Sequence, residues 1–360
     1  MKPRVLAVLV VLLVALGGGA LLVRQQESAQ KPSDAGTLGQ PLLKDLQAAR
    51  IASISIRNAK DAITIVRKDD RWTIAERDGY AADLDKVRAF VLLALSLKVV
   101  QAEPVGDADR ARLNLDASGT VVQFSDADAK PLAAFTLGKK YFKSEPENPD
   151  KALGDGRYVA VPSDAKRVIL ISDPMAQAST KTADWISKQG FEVEKVKTLE
   201  VREASGSADA SSWRIERSGD NADWKLVGAR AGEKLEITKA NAAGYTFARL
   251  EVADVAPKDL KPEEAGLDKP TTVTATTFDG LIYVLKLGKV DSGNYYATIA
   301  ISGEPRPEGK DAEERLKKIN ERLPREKALG GYTLLIPKSK LDDVLKKRAD
   351  LLEKKEEKKK

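Results

Sequence analysis

The succession of hydrophobic and polar positions in this chain is laid down twice. Residues 51–57 and 62–67 alternate apolar with polar side chains, and residues 71–76 do so again after Asp69-Asp70. Period-two alternation broken by turn residues predicts a short antiparallel meander. Asp83 then stands before Val87, Phe90, Val91, Ala94, Leu95 and Leu97. That apolar stripe at helical spacing, with an acceptor side chain at its start, predicts one capped helix lying on the strands. After residues 110–115, strand patterning resumes at 120–125, 132–137, 157–161 and 168–171. The order then repeats: strands at 198–202, 213–217 and 224–227, a helix over about 238–250, and strands at 272–278, 282–287, 295–301 and 332–336.

Short motifs recur in register with this succession. Ile54-Ser55-Ile56-Arg57 and Arg71-Trp72-Thr73-Ile74 return as Leu199-Glu200-Val201-Arg202 and Asp223-Trp224-Lys225-Leu226. Leu115-Asp116 recurs as Leu267-Asp268, Leu137-Gly138-Lys139 as Leu287-Gly288-Lys289, and the Tyr158 to Pro162 run as the Tyr332 to Pro337 run. Offsets of 224 − 72 = 152, 267 − 115 = 152 and 287 − 137 = 150 make the match collinear, which is the signature of a tandem duplication. Runs of strands with one helix per unit predict an α+β fold, not alternating βαβ units. The expected layout is a first α+β repeat at 41–180, a connector at 181–197 with a short helical turn over 182–190, a second repeat at 198–345, and a charged tail at 346–360. The second copy carries an insertion at 311–327, whose Leu316, Ile319 and Leu323 lie at helical spacing; it is a candidate contact element, with a solvated charged face as the preferred reading. The tail starts amphipathically, with Leu341, Val344, Leu345 and Leu351-Leu352 expected to pack on the second repeat.

The amino terminus has a different character. Lys2 and Arg4 precede residues 5–23, nineteen positions without a charge. At about 1.5 Å per residue a helix of that length just spans a hydrocarbon layer of about 30 Å. A transmembrane anchor over 1–24 is therefore expected, followed by a polar linker at 25–40. A cleaved signal peptide is the rival, but the apolar run continues past Gly18-Gly19-Ala20, which favours retention. The basic residues before the span place the amino terminus in the cytoplasm and the body outside it, at the inner membrane facing the periplasm.

Composition narrows the chemistry. The 360 residues include neither histidine nor cysteine, which removes Ser-His-Asp and Cys-His triads, disulfides, a lipobox-type lipid anchor and the usual zinc ligands. The formal charge of +6 resides mostly in residues 338–360, where ten basic and six acidic residues give +4. With 5% aromatics and no basic field over the body, nucleic-acid binding has little support. Trp72 and Trp224 at matching strand positions read as packing rather than ligand stacking. Asp126 and Asp128 read as turn residues rather than calcium ligands, since no ligand loop ending in a bidentate Glu follows. Glu145, Glu147 and Asp150 sit in a loop with Pro146 and Pro149; paired carboxylates serve glycan hydrolysis in other settings, and here a solvated connector is preferred. Gly154-Asp155-Gly156 is a turn, and neither it nor Gly17-Gly18-Gly19 has the Lys and Ser/Thr of a phosphate loop. No catalytic residue, metal ligand or cofactor-binding residue is assigned.

The N-terminal span, Ile54-Ser55-Ile56-Arg57, the Arg71-Trp72-Thr73-Ile74 strand, the capped helix, Leu137-Gly138-Lys139, the Tyr158 strand, Ala183-Asp184-Trp185-Ile186 and the second copy together resemble a bacterial family, domain of unknown function (DUF) 4340. The resemblance covers most of residues 40–350. It implies a single-pass envelope protein associated with an ABC transporter permease or a gliding-type auxiliary membrane protein, and it carries over no catalytic residue. The expectation is thus a non-enzymatic, membrane-anchored, extracytoplasmic component that binds a partner. The alternatives are a lipid- or glycan-binding module using a groove between the repeats, and a carboxylate-dependent hydrolase of envelope polymers.

Overall fold

The computed structural model describes residues 37–203 and 212–353. The apolar segment 5–23, the linker as far as residue 36 and the tail from 354 lie outside the described residues. Among the described residues no helix is long and apolar enough to cross a membrane.

The fold is mostly antiparallel sheet with a few helices, α+β in class. In chain order the elements are β1 (Ser53–Arg57), β2 (Ala62–Lys68), β3 (Arg71–Ile74), β4 (Tyr80–Ala81), α1 (Leu84–Ser96), β5 (Val99–Pro104), α2 (Asp107–Arg112), β6 (Thr120–Ser125), β7 (Pro131–Tyr141), β8 (Gly156–Ala160) and β9 (Arg167–Ile171). The chain continues through β10 (Gln189–Phe191), β11 (Val196–Arg202), β12 (Trp213–Glu216), β13 (Lys225–Leu226), α3 (Ile237–Tyr245), β14 (Leu250–Glu251), β15 (Asp254–Val255), α4 (Pro262–Ala265), β16 (Thr271–Thr277), β17 (Leu281–Asp291), β18 (Asn294–Gly303), α5 (Ala312–Ala328) and β19 (Leu334–Pro337).

The described residues divide into two compact units, one within Met1–Ala62 and Arg88–Thr180, the other within Ile63–Val87 and Lys181–Lys360. In the first, strands run in the order β1-β6-β7-β8-β9-β5, all pairs antiparallel. Strict alternation sends Ile54 and Ile56 of β1 into the core with Phe124, Phe135 and Val159, and Phe90 of α1 stacks on Phe124 at 6.1 Å. In the second, the order β11-β16-β17-β18-β19-β15 is extended on the β11 side by β12 and β13. The meander β2-β3-β4 and the two-stranded pair β10-β14 fall in this second unit as well. Asp83 does cap α1, its Oδ1 accepting from the N–H groups of Asp85 and Lys86 at 3.1 and 3.2 Å.

One local device is built in each unit and explains two of the recurring motifs, Leu-Asp and Leu-Gly-Lys. A short helix, α2 or α4, ends at a left-handed residue, Asn114 (φ 56°) or Gly266 (φ 69°). The next N–H, of Leu115 or Leu267, then bonds back five residues to the carbonyl of Arg110 or Pro262, the closure expected at such a helix end. The long strand opposite bulges at Leu-Gly-Lys, between Leu137 and Lys140 in β7 and between Leu287 and Val290 in β17. A Cβ on Gly138 would stand 2.3 Å from the Leu113 carbonyl, and one on Gly288 2.0 Å from that of Ala265. Glycine is required at both positions because helix end and bulge meet backbone to backbone.

Four expectations are corrected. Counting outward from β1 and from β11, β8 occupies the place of β18 and β9 that of β19. The Tyr158 strand therefore corresponds to the Tyr295-Tyr296 strand, and the match of Tyr158 with Tyr332 is displaced by one strand. Sequence similarity misled there because β18 and the segment leading into β19 each place a Tyr before alternating apolar residues. As a result the long loop after β7 corresponds to the two-residue turn at Ser292-Gly293, while α5, between β18 and β19, has only the turn Pro162–Asp164 as counterpart. The helix expected over 238–250 stops at Tyr245, because Leu250 and Glu251 pair with β10. The connector is helical only over Thr182–Asp184, and from Gln189 it is strand. Finally, the preferred solvated reading of the insertion holds for part of α5 only: Ile319, Leu323 and Glu326 are buried.

Candidate functional site

The second unit concentrates polar groups where α5 meets β10. Ile319, Leu323 and Glu326 lie four and three residues apart, so the helix turns all three to one face, and that face is internal. Glu326 has no exposed surface. Its Oε1 accepts from the main-chain N–H of Glu192 at 3.0 Å, and its Oε2 from the Tyr283 hydroxyl at 3.4 Å. Arg322 Nε stands 3.6 Å from Oε1 and Arg325 Nη2 3.9 Å from it. Burial raises the Glu326 carboxyl above its ordinary range, while the Glu192 N–H and the two guanidinium groups pull the other way. Burial, reinforced by the Glu326 charge, also raises the Tyr283 phenol.

Arginines on the same turn complete the seam. Arg322 Nη1 reaches the carboxylates of Glu192 and Glu194 at 3.3 and 3.2 Å, and Arg325 Nη1 donates to the carbonyls of Gln189 and Gly190 at 3.0 and 2.7 Å. Side chains of α5 thus satisfy main-chain groups along β10 that a two-stranded pair alone cannot. In the absence of that seam, β10 and the inserted helix would each leave polar groups stranded.

A second polar knot joins the meander to the residues after 181. The Thr182 hydroxyl, on a residue only 7% exposed, accepts from Arg77 Nη2 at 2.8 Å and donates to the Asp254 carboxylate at 2.8 Å. Around it, Lys258 pairs with Asp78 at 2.8 Å, Tyr80 donates to the Ser187 carbonyl at 3.2 Å, and the rings of Tyr80 and Tyr332 meet edge to face at 5.0 Å. Burial pushes the Tyr80 phenol up to about 12.

These contacts frame two clefts of about 640 and 660 Å³, both bordered by Ser187, Gln189 and Arg325. The first is rimmed by charged groups, among them Asp85, Lys188, Arg249 and Glu251. The second has an apolar floor of Tyr80, Pro324, Ala328, Leu329 and Tyr332 under the tip of the β2–β3 hairpin. On another flank of α5, Glu313, Leu316, Lys317, Asn320 and Glu321 line a shallow depression of about 470 Å³, with Leu316 36% exposed.

The residues weighed in the sequence lie elsewhere. Trp224 is buried against Gly244 of α3 with the Arg217 guanidinium 4.8 Å from its ring centre, and so packs; Trp72 is half-buried. Asp126 Oδ1 accepts from the N–H groups of Asp128 and Lys130 at 3.1 and 2.9 Å, which is turn chemistry. Glu145, Glu147 and Asp150 are exposed on the loop after β7, and Lys140 Nζ clamps that loop through the carbonyls of Asp150 and Ala152. Among the described residues no cluster of acidic groups could hold a metal ion. Sequence reasoning missed the Glu326 seam and the Thr182 knot. Glu326 was findable, being seven residues after Ile319 on the apolar stripe; Thr182, Arg77 and Asp254 are too far apart in the chain to leave any periodic signal.

Comparison with known proteins yields one match: a family described as "Domain of unknown function (DUF4340)" aligns with residues 72–270, or 199 of the 360 positions. No curated protein and no solved structure matches.

Proposed function

Because the chain belongs to the DUF4340 family, whose description names no activity, we propose from its own geometry that it is a non-enzymatic partner-binding protein. It is held at the inner membrane by residues 5–23 with its body in the periplasm, as an accessory component of an ABC-type transporter or gliding-type envelope system. The shared six-strand order of the two units and their paired helix-end and bulge devices support descent by tandem duplication. Two related units on one tether suit a docking scaffold.

The observation that carries the reading is the division of α5. Its inner face is fixed by Ile319, Leu323 and the Glu326 seam, while Glu313, Lys317 and Asn320 stand open around the exposed Leu316. A rigidly held helix with an apolar centre and a charged rim is the anatomy of a protein interface. Deleting 311–327 would expose Glu192, Tyr283 and β10, so substitution is the cleaner test. Full-length protein, crosslinked briefly in its native membrane and purified in mild detergent, is expected to bring transporter subunits that Leu316→Asp with Lys317→Glu loses. Recovery unchanged by those substitutions refutes the α5 contact. Recovery of the protein with only lipid or glycan shifts the assignment to ligand binding.

A further inference from the structure

The cleft under the β2–β3 hairpin has chemistry that the partner-binding reading does not use. Its volume of about 660 Å³ lies within the range of small-molecule sites. The floor is hydrocarbon and aromatic: Pro324, Ala328 and Leu329 from α5 and the turn after it, with Tyr80 and Tyr332 as walls. Those walls are pinned by the Tyr80 bond to Ser187 and by the ring pair, so the groove is preformed.

The main chain around it is already bonded. Ala81 O accepts from Ser187 N at 2.8 Å, β4 pairs with β3 through Thr73 and Ile74, and the carbonyls of Gln189 and Gly190 are occupied by Arg325. An extended peptide laid in this groove would find no strand edge to pair with and would bury its own N–H and C=O groups unsatisfied. An acyl chain has no such groups. The rim, by contrast, offers charges of both signs. Lys68 and Arg71 on the hairpin have no carboxylate at ion-pair distance among the described residues, and neither Asp69 nor Glu321 has a cation there. Asp78 is neutralised by Lys258.

We infer that this groove binds a single-chain amphiphile with a zwitterionic, phosphate- and amine-bearing head. The hydrocarbon lies on Pro324, Ala328, Leu329 and Tyr332, the phosphate meets Lys68 and Arg71, and the amine meets Glu321 and Asp69. The inference requires neither Leu316 nor a transporter, although Glu321 borders both the groove and the depression on the other flank of α5.

Native mass spectrometry of the full-length chain, released from detergent and titrated with lysophosphatidylethanolamine, lysophosphatidylglycerol or monoacylglycerol, tests it. One molecule of the zwitterionic lipid is expected to bind, at least tenfold tighter than monoacylglycerol. Ala328→Trp, at an exposed position, fills the groove and is expected to abolish binding. Arg71→Glu is expected to weaken both phosphate-bearing lipids about tenfold and leave monoacylglycerol unchanged. Glu321→Lys is expected to invert the preference toward the phosphoglycerol head. Equal retention of all three probes, or retention unaffected by Ala328→Trp and Arg71→Glu alike, is adsorption and overturns the assignment.

Discussion

Replacing Thr182 by valine tests how much of the meander's hold on the second unit passes through one hydroxyl. The substitution keeps shape and volume and removes only the group that accepts from Arg77 at 2.8 Å and donates to Asp254 at 2.8 Å. A hydrogen bond to a charged partner contributes about 1.5–3 kcal/mol, so two of them set an upper range of about 3–6 kcal/mol. Arg77 Nε and Asp254 Oδ1 are already 3.7 Å apart with side chains 18% and 23% exposed, so their residual attraction and entering water recover part of it. The expected net loss is about 2–3 kcal/mol, or roughly 5–10 °C in the unfolding of a unit of this size. Because the knot ties Arg77 to residues more than a hundred positions away, hydrogen exchange of the amides in β3 and β4 should accelerate along with the global change. A loss below about 0.5 kcal/mol, or unchanged protection of those amides, would refute the argument that this hydroxyl fastens the meander.

Three further outcomes follow from the same structure. Because the folded pKa of Glu326 is raised, its stabilising contribution is complete below the unfolded carboxylate value and is lost as pH rises through the folded one; in Glu326→Gln, thermal unfolding followed from pH 4 to 8 should lose that slope and match wild type at the acid end. Gly138→Ala and Gly288→Ala should each cost about 3 kcal/mol in chemical denaturation, since the new methyl meets a carbonyl that cannot move without breaking the bulge. Leu351→Ala should cost about 3 kcal/mol by the same assay, because Leu351 has no exposed surface and its carbonyl accepts from Glu236 N at 2.8 Å; a neutral result would detach the tail from the core.

The order of residues along the chain already carries the class of fold, most strand positions and the recurrence of one unit's pattern. It could do so because alternation of period two, an apolar stripe of period three to four, and glycine at a bulge are local requirements that each copy must satisfy separately. Ile54 and Ile56, the Asp83 cap, and Gly138 with Gly288 are examples: each is demanded by neighbours that the chain order already places nearby or by the pleat itself. Tertiary structure alone decided which strand occupies which place, as the displaced match of Tyr158 and Tyr332 shows, because sheet order is set by non-local pairing. It alone decided that Ile63–Val87 clusters with the second unit, that Glu326 is buried in a seam, and that hairpin and helix leave an apolar groove between them. Those features depend on which hydrogen-bonding groups remain unmatched after the sheets form, and a polar side chain becomes a buried partner only when a distant segment arrives to need it.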